Sequence, residues 1–331
     1  FININFMNEG TKFFGVDVSM DTFDVSTPDQ KHVQFSNNQD GYVKFLKLMD
    51  SGSHCVMEAT GAYHQKLAFW IFSQGRKVSV VNPIVIKRFA QMRLRLAKTD
   101  KADARMIRQY AEAEHPEVWT PPQVYITQAC EINGLITLLI RQRTALKNKL
   151  HSVNHKEGTF SLILQAIQKQ IKNLDQEIHQ LEISMEKLIQ EHEREMLATL
   201  CSIPGIGKKT AMFLIVITDG FRSFENSKQL CAYLGLAPTI KVSGKSVRGQ
   251  SRISKTGNST IRNLLFMCSF TACERNKACR ELYTRMVTKG KSKKVALIAV
   301  ANKLLKQSLA IAKSGTSYRE DHYSMNPACI R

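Results

Sequence analysis

The 331-residue chain predicts an α/β domain joined to a mostly helical, strongly basic second half. Three observations carry that division. Short apolar runs, broken by turn formers, alternate with helix-length segments through the first third. A heptad-like apolar pattern occupies the middle. Charge is lopsided: of a net +19, residues 1–200 contribute +2 and residues 201–331 contribute +17. With 43% hydrophobic residues the chain can bury more than one core.

Phe13 to Val18, Thr22 to Thr27 and His32 to Phe35 read as a three-stranded meander, with Pro28 and Asp29 as turn formers. There follow a strand at Cys55 to Glu58, a helix from Tyr63 to Gln74 stopped by Gly75, and a strand at Val78 to Val81 ended by Asn82 and Pro83. Strands alternating with helices after a meander suggest an α/β sheet of the ribonuclease-H type. A helix or helix pair follows through Arg88 to Glu114, and Pro121-Pro122 marks a boundary. Ile167, Ile171, Leu174, Ile178, Leu181, Met185 and Leu188 then make the a/d seam of a coiled coil, while Leu135, Leu139, Gln142, Leu146 and Leu150 keep a similar period upstream. The two segments fit an antiparallel pair, a dimer seam or a helix packed on its own domain. Asn258 to Met286 and Ser292 to Lys313 are again helical in period. The expected domains are 1–122, 123–197 and 198–315, with a flexible tail at 316–331.

Composition excludes several classes. The longest apolar runs, Ala211 to Ile217 and Val295 to Ala301, fall far short of the ~20 residues of a spanning helix. No membrane segment is expected. The start lacks a secretory pattern, so the cytoplasm is the expected location. Eight cysteines without a CxxC pair, Cys268, Cys273 and Cys279 among them, read as reduced core thiols. His151 and His155 have helical spacing without the glutamate of a metalloprotease and read as solvated. Gly244-Lys245-Ser246 would need a glycine where Thr239 stands, and Gly207-Lys208 is followed by Lys209, so neither is a nucleotide loop.

Between Glu225 and Glu274 there is no acid, but there are Lys228, Lys241, Lys245, Arg248, Arg252, Lys255 and Arg262. Such a field attracts polyphosphate by counterion release, which points to nucleic acid. Ile203-Pro204-Gly205-Ile206-Gly207-Lys208-Lys209 resembles a helix-hairpin-helix motif, whose turn amides and helix N-terminus grip a phosphate without reading bases. Gly205, Gly207, Lys208, Lys209, Lys241, Lys245, Arg248, Arg252 and Lys255 are therefore candidate nucleic-acid contacts.

Four carboxylates form the candidate catalytic set. Asp17 follows an apolar strand, Glu58 ends another, and Asp100 and Asp103 are three apart on one helix face. Singly, each has a structural explanation as a turn or helix cap. Converging, they repel unless a hard divalent cation such as Mg2+ bridges them to a phosphate oxygen. Two such ions would activate phosphoryl transfer. Ser243, Ser246, Ser251 and Ser254 lie on the Gly- and Ser-rich cationic segment after Pro238. No histidine occurs between His192 and His322, so a Ser-His pair is not encoded nearby. Activation of a serine would fall to metal ions and to Lys245, Arg248 and Arg252. The chemistry does not choose among the four serines, and a loop that only grips the backbone is also open.

The ordered set of motifs resembles the IS110 insertion-sequence transposases, the DEDD transposases related to the Piv and MooV invertases. The first-half pieces are Gly15-Val-Asp17-Val-Ser, Met57-Glu58-Ala-Thr-Gly-Ala-Tyr63, Val81-Asn82-Pro83 and Lys98-Thr-Asp100-Lys-Ala-Asp103-Ala. Those of the second half are Ile203-Pro-Gly-Ile-Gly207, Ala232-Tyr-Leu-Gly-Leu-Ala-Pro238, Ser243-Gly244, Arg252-Ile-Ser-Lys-Thr-Gly-Asn258 and Gly290-Lys-Ser-Lys-Lys-Val-Ala-Leu-Ile-Ala-Val300. The resemblance implies a RuvC-like ribonuclease-H domain in which Asp17, Glu58, Asp100 and Asp103 bind Mg2+, a helical coiled-coil insertion, and a mostly helical transposase domain. It implies that Ser243 attacks DNA to form a covalent phosphoserine. It also implies donor and target double-stranded DNA as substrates, selected by a noncoding bridge RNA. Homodimers assembling into a tetramer would share active sites between subunits and exchange strands through a junction-like intermediate. The alternatives are a hydrolytic junction nuclease using the acids alone, and a non-catalytic nucleic-acid-binding protein.

Overall fold

A computed structural model describes residues 11–93, 100–156, 160–239, 242–243, 247–248, 252–254 and 257–320. The chain divides into two compact units, Phe1–Pro121 and Pro122–Arg331. The boundary falls between the two prolines, neither of which can donate a backbone hydrogen bond to extend an element across it.

In the first unit, β1 (Lys12–Val18), β2 (Thr22–Ser26) and β3 (His32–Ser36) form the expected meander. Then come α1 (Gln39–Leu46), β4 (Ser53–Glu58), α2 (Tyr63–Ser73), β5 (Lys77–Val81), α3 (Pro83–Met92) and α4 (Asp100–Glu114). The sheet order is β3-β2-β1-β4-β5, with β1, β2 and β3 antiparallel and β4 and β5 parallel to β1. Side chains alternate across it. Phe14, Val16, Cys55 and Met57 pack on Tyr42 and Phe45 of α1 and on Leu67, Ala68 and Ile71 of α2. Phe13 and Val56 pack on Ile86 and Phe89 of α3 and on Met106, Ile107 and Ala111 of α4. Helix α1 lies between Phe35 and Cys55, a stretch to which sequence reasoning assigned no element. Asn38 caps it, accepting from the Gly41 amide, and Tyr42 and Phe45 bury its inner face.

The second unit opens with α5 (Val124–Asn154) and α6 (Ser161–His192), two long helices packed side by side. Ile167, Ile178 and Met185 of α6 are buried, as are Ile136 and Leu139 of α5, the helix that α6 packs against. The α5 register differs from the expected one, since Leu135 and Gln142 are exposed while Ile136 turns inward. Next come α7 (Arg194–Cys201), α8 (Lys208–Thr218), α9 (Ser227–Tyr233) and four short strands, β6 (Pro238–Thr239), β7 (Val242–Ser243), β8 (Val247–Arg248) and β9 (Arg252–Ile253). The chain continues through α10 (Ser259–Arg275), α11 (Lys277–Thr288) and α12 (Lys293–Ser314). One core joins Tyr125 and Ile126 of α5, Met185 and Ile189 of α6, the apolar run of α8, and Val300, Leu304 and Leu305 of α12. The helical middle thus shares a core with the basic end and is not a compact unit of its own.

Two further expectations bear on the C-terminal end. The run at Val295 to Ala301 belongs to α12, which by length and apolarity alone passes as a spanning helix, yet half of its apolar window is buried in this core. Residues after Thr316 were expected to be loose. Tyr318 instead donates its amide to Ser202 Oγ (2.8 Å) and its hydroxyl to Asn276 Oδ1 (3.1 Å). The rest of the tail, from 321, lies outside the described residues.

Candidate active site and nucleic-acid interface

Asp17 lies inside β1, next to its end, and Glu58 is the last residue of β4. The parallel register pairs Val16 with Met57, so Asp17 and Glu58 are the next step of the same ladder. Opposite residues of paired strands face the same way, on strands about 4.8 Å apart. Both acids follow the odd-even alternation that turns Gly15 and Val56 toward α4, the face opposite Val16 and Met57.

Helix α4 brings the other two acids to the same end. Phe13 meets His115 just beyond its C-terminus (ring centroids 5.3 Å), and Gly15 lies against Ala104 and Arg108. The helix therefore runs antiparallel to β1, with Asp100 and Asp103 in its first turns at the Asp17 end of the strand. Gly15 permits this approach: a Cβ there would sit 2.3 Å from the Ala104 carbonyl oxygen and 2.3 Å from the Arg108 amide nitrogen, both backbone atoms. Asp17, Glu58 and Asp103 are half-buried, and Asp100 is described by its backbone only. Carboxylates at a helix N-terminus also meet the positive end of its dipole.

Sequence reasoning missed two neighbours of this face, Asp24 and Arg108. Asp24 stands directly across from Asp17 on β2 and is 5% exposed. Its carboxylate accepts from Gln34 Nε2 at 3.2 Å and pairs with His32 Nε2 at 2.6 Å. Buried Arg108 donates from Nε to Ser26 Oγ (3.1 Å) and pairs with Glu112. The alternation Phe23-Asp24-Val25-Ser26 was the available signal: apolar to one face, polar to the face of Asp17.

All four candidate ligands are hard oxygen donors, the set that suits Mg2+. Their shared end and face fit such an ion. Among the described residues, no group of three or more His, Cys, Asp or Glu side chains closes a metal cage, and the Asp100 side chain stands outside that set.

The cationic segment, expected as a loop, is built from two short ribbons. Pro238 and Thr239 pair antiparallel with Ile253 and Arg252, and Val242 and Ser243 pair with Arg248 and Val247. Ser243 thus stands opposite Val247, with Arg248 next to that partner. For Ser243, Arg248 and Arg252 only the backbone is described; Lys241, Lys245, Ser246, Ser251 and Lys255 lie outside the described residues.

Helices α7 and α8 pack on each other across the turn at 202–207. Gly205 has φ +104° and lies so close to Ala272 of α10 that a Cβ would approach to 2.7 Å, so only glycine fits. Gly207 is the N-cap of α8. Its N-terminus opens on a cavity of about 910 Å³ lined by Lys187, Arg194, Cys201 and Lys208 among others. Lys208 and Lys209 are ion-paired with Glu186 and Glu182 of α6, partners that spacing alone did not suggest.

Comparison with known proteins finds two transposase models, the N-terminal one of which runs past the boundary at Pro121 through α5. A family model described as "Transposase IS116/IS110/IS902 family" matches residues 197–284, and a transposase model of the IS110 DEDD type matches residues 14–154. The chain is similar to the pilin gene-inverting protein of Moraxella lacunata, 33% identical over 322 residues that cover 92% of this chain and 97% of the relative. Its counterpart in Moraxella bovis matches to the same extent. An insertion element IS110 protein of Streptomyces coelicolor is 29% identical over 161 residues, 49% of this chain and 39% of the relative.

Proposed function

Because the chain belongs to the IS116/IS110/IS902 family of transposases, we propose that it cuts and rejoins DNA through a covalent phosphoserine at Ser243, with Mg2+ held by Asp17, Glu58, Asp100 and Asp103. That it is a transposase acting on DNA follows from the family; the serine and the metal are the proposal. The observation that supports it is the meeting of β1, β4 and the start of α4, the segments that carry Asp17, Glu58, Asp100 and Asp103, at one end and on one face of the sheet. The strand order, with β1 between an antiparallel meander and two parallel strands, supports a RuvC-like ribonuclease-H fold.

Mg2+ bound there would supply Lewis acidity to a phosphate oxygen. The chain's own part is then simple. Asp17 and Glu58 present oxygens from rigid strands and Asp100 and Asp103 from the helix start, so the ligands need little ordering on binding. Ser243 Oγ bonds to phosphorus, the P–O bond to the leaving strand breaks, and the hydroxyl proton ends on the leaving oxygen. Rejoining reverses these bonds on a second DNA end. Arg248, next along its strand to the Val247 partner of Ser243, and Arg252, on the other ribbon opposite Thr239, would supply positive charge for the extra negative charge of the transition state.

The partners under this reading are double-stranded donor and target DNA and a noncoding bridge RNA, with dimers pairing into a tetramer in the bacterial cytoplasm. The Moraxella relatives, named for inverting a pilin gene, support DNA inversion as one outcome of the same chemistry. A second reading is favoured by one feature: the acids lie in one unit and could direct a water, making a hydrolytic junction nuclease.

The test is a denaturing gel of labelled donor and target DNA after incubation with Mg2+ and protein co-expressed with its flanking noncoding RNA. Wild type should give a protein-linked DNA band that both Ser243→Ala and Asp17→Asn lose. If Ser243→Ala still cuts and leaves free ends, hydrolysis replaces serine chemistry. If nothing is cut with RNA and substrates verified, the chain is a non-catalytic binder.

A further inference from the structure

From the turn between α11 and α12 we infer a second nucleic-acid contact, a lysine-tipped helical hairpin that grips the phosphate backbone of duplex DNA without reading its bases. It lies beyond residue 284, where the match to the family model ends, within the Gly290–Val300 motif, and outside the contacts considered above.

Lys289, Lys291, Lys293 and Lys294 fall within six residues and are all exposed. Their backbone is fixed. The Lys289 amide donates to the Arg285 carbonyl (3.2 Å), Gly290 to Val287 (2.9 Å) and Lys291 to Met286 (3.1 Å). Gly290 takes φ +76°, and α12 runs from the turn directly into the core through Ala296, Leu297 and Val300. The four ammonium groups thus stand on a rigid base.

Their own chain does not neutralise them. Among the described residues none of the four is ion-paired, and Glu281 is the single acid between Arg275 and Ser314, against eleven Lys and Arg counted with Arg275. Position makes the charge more telling. Lys293 and Lys294 are the first two residues of α12, whose first turn holds no acid. The start of a helix is the positive end of its dipole, where cations are disfavoured. The N-cap Ser292 makes no side-chain cap bond, and the first helical bond is that of the Ala296 amide to the Ser292 carbonyl (3.1 Å). The amides of residues 293–295 therefore add unspent donors to the lysine charge. A local rule is broken here without compensation inside the chain, as happens where an outside partner supplies it.

That partner must be densely anionic. Duplex DNA carries one charge per ~1.7 Å of its axis, so several phosphates lie within reach of four lysines at once. Lysine is a point charge without the planar fork that reads bases, so the contact is independent of sequence. The inference needs only that the chain acts on DNA, and stands apart from the serine and the metal.

The experiment uses the full chain with EDTA present, so that nothing is cut. Binding to two duplexes of unrelated sequence is followed by fluorescence anisotropy from 50 to 300 mM salt. In Lys289→Gln/Lys291→Gln/Lys293→Gln/Lys294→Gln, the slope of log K against log salt should fall by about 2 to 4, at ~0.9 per phosphate contact, equally on both duplexes. The melting temperature should hold or rise, because first-turn cations have been removed. Lys44→Gln/Lys47→Gln/Lys66→Gln/Lys87→Gln, which removes the same charge from exposed positions of the first unit, should change the slope by less than 1. An unchanged slope in the tip variant overturns the inference, as does an equal fall in the control, which would be bulk charge alone. A fall seen only with RNA in a parallel titration overturns duplex DNA as the partner.

Discussion

His54 lies on the same face of β4 as Glu58, two alternations deeper, and is 5% exposed. Ser79 Oγ has one proton and directs it to the Glu117 carbonyl at 2.5 Å, so His54 Nε2–H is the donor to Ser79 at 2.8 Å. Burial, then the charges of Lys77 and His115, lower its pKa from 6.5 to about 4. Above pH 6.5 the ring is neutral folded or unfolded, and stability does not depend on it. Between 6.5 and about 4 the unfolded chain takes up a proton that the folded one refuses. Stability therefore falls with falling pH, by on the order of 2–3 kcal/mol for this residue. His54→Gln, which keeps the hydrogen bond but cannot titrate, should flatten part of the drop in melting temperature between pH 7 and 4.5. An identical drop in the variant would mean that the ring is not buried in its neutral form. Legibility at this scale was uneven. Asp17, Glu58, Asp100 and Asp103 stood out in the sequence because their type and spacing belong to metal chemistry. Asp24 and Arg108 did not, because their place beside Asp17 depends on strand register and on the packing of α4 against Gly15.

Elements with a strong period were legible, and those set by partners were not. The meander, α2, β5 and the α6 stripe follow their apolar patterns closely. The α5 register slipped because Leu135, Ile136, Leu138 and Leu139 offer more than one apolar stripe, and α6 selects Ile136 and Leu139. The ribbons around Ser243 are too short to carry an alternation. The partners of Lys208 and Lys209, Glu186 and Glu182, are 22 and 27 residues away and become neighbours only when α6 lies along α8. Exposed pairs of this kind contribute at most about 1 kcal/mol to stability. If Lys208 and Lys209 contact phosphate, the pairs also hold those cations back from it. Glu182→Gln/Glu186→Gln should leave the melting temperature nearly unchanged and raise affinity for duplex DNA several-fold at low salt, by anisotropy. Unchanged affinity would remove the two lysines from the DNA interface.

For the whole molecule, the division between Pro121 and Pro122 carries the most consequence. Every member of the two cores flanking the sheet comes from residues up to Trp119, and every member of the helical core comes from Tyr125 onward. Both faces of the sheet are covered within the first unit, α1 and α2 on one and α3 and α4 on the other, so among the described residues neither face of the sheet is left bare. A unit with both faces closed meets the physical requirement for folding alone. Residues 1–121 produced as a separate protein should therefore unfold in urea as one cooperative transition, with circular dichroism and tryptophan fluorescence coinciding, since Trp70 and Trp119 both pack on its core. Under the serine reading the fragment would form no DNA-linked product, because Ser243 lies in the other unit. Non-coincident transitions, or a fragment that binds apolar dye and lacks fixed tertiary signals, would show that the first unit depends on the second for its packing.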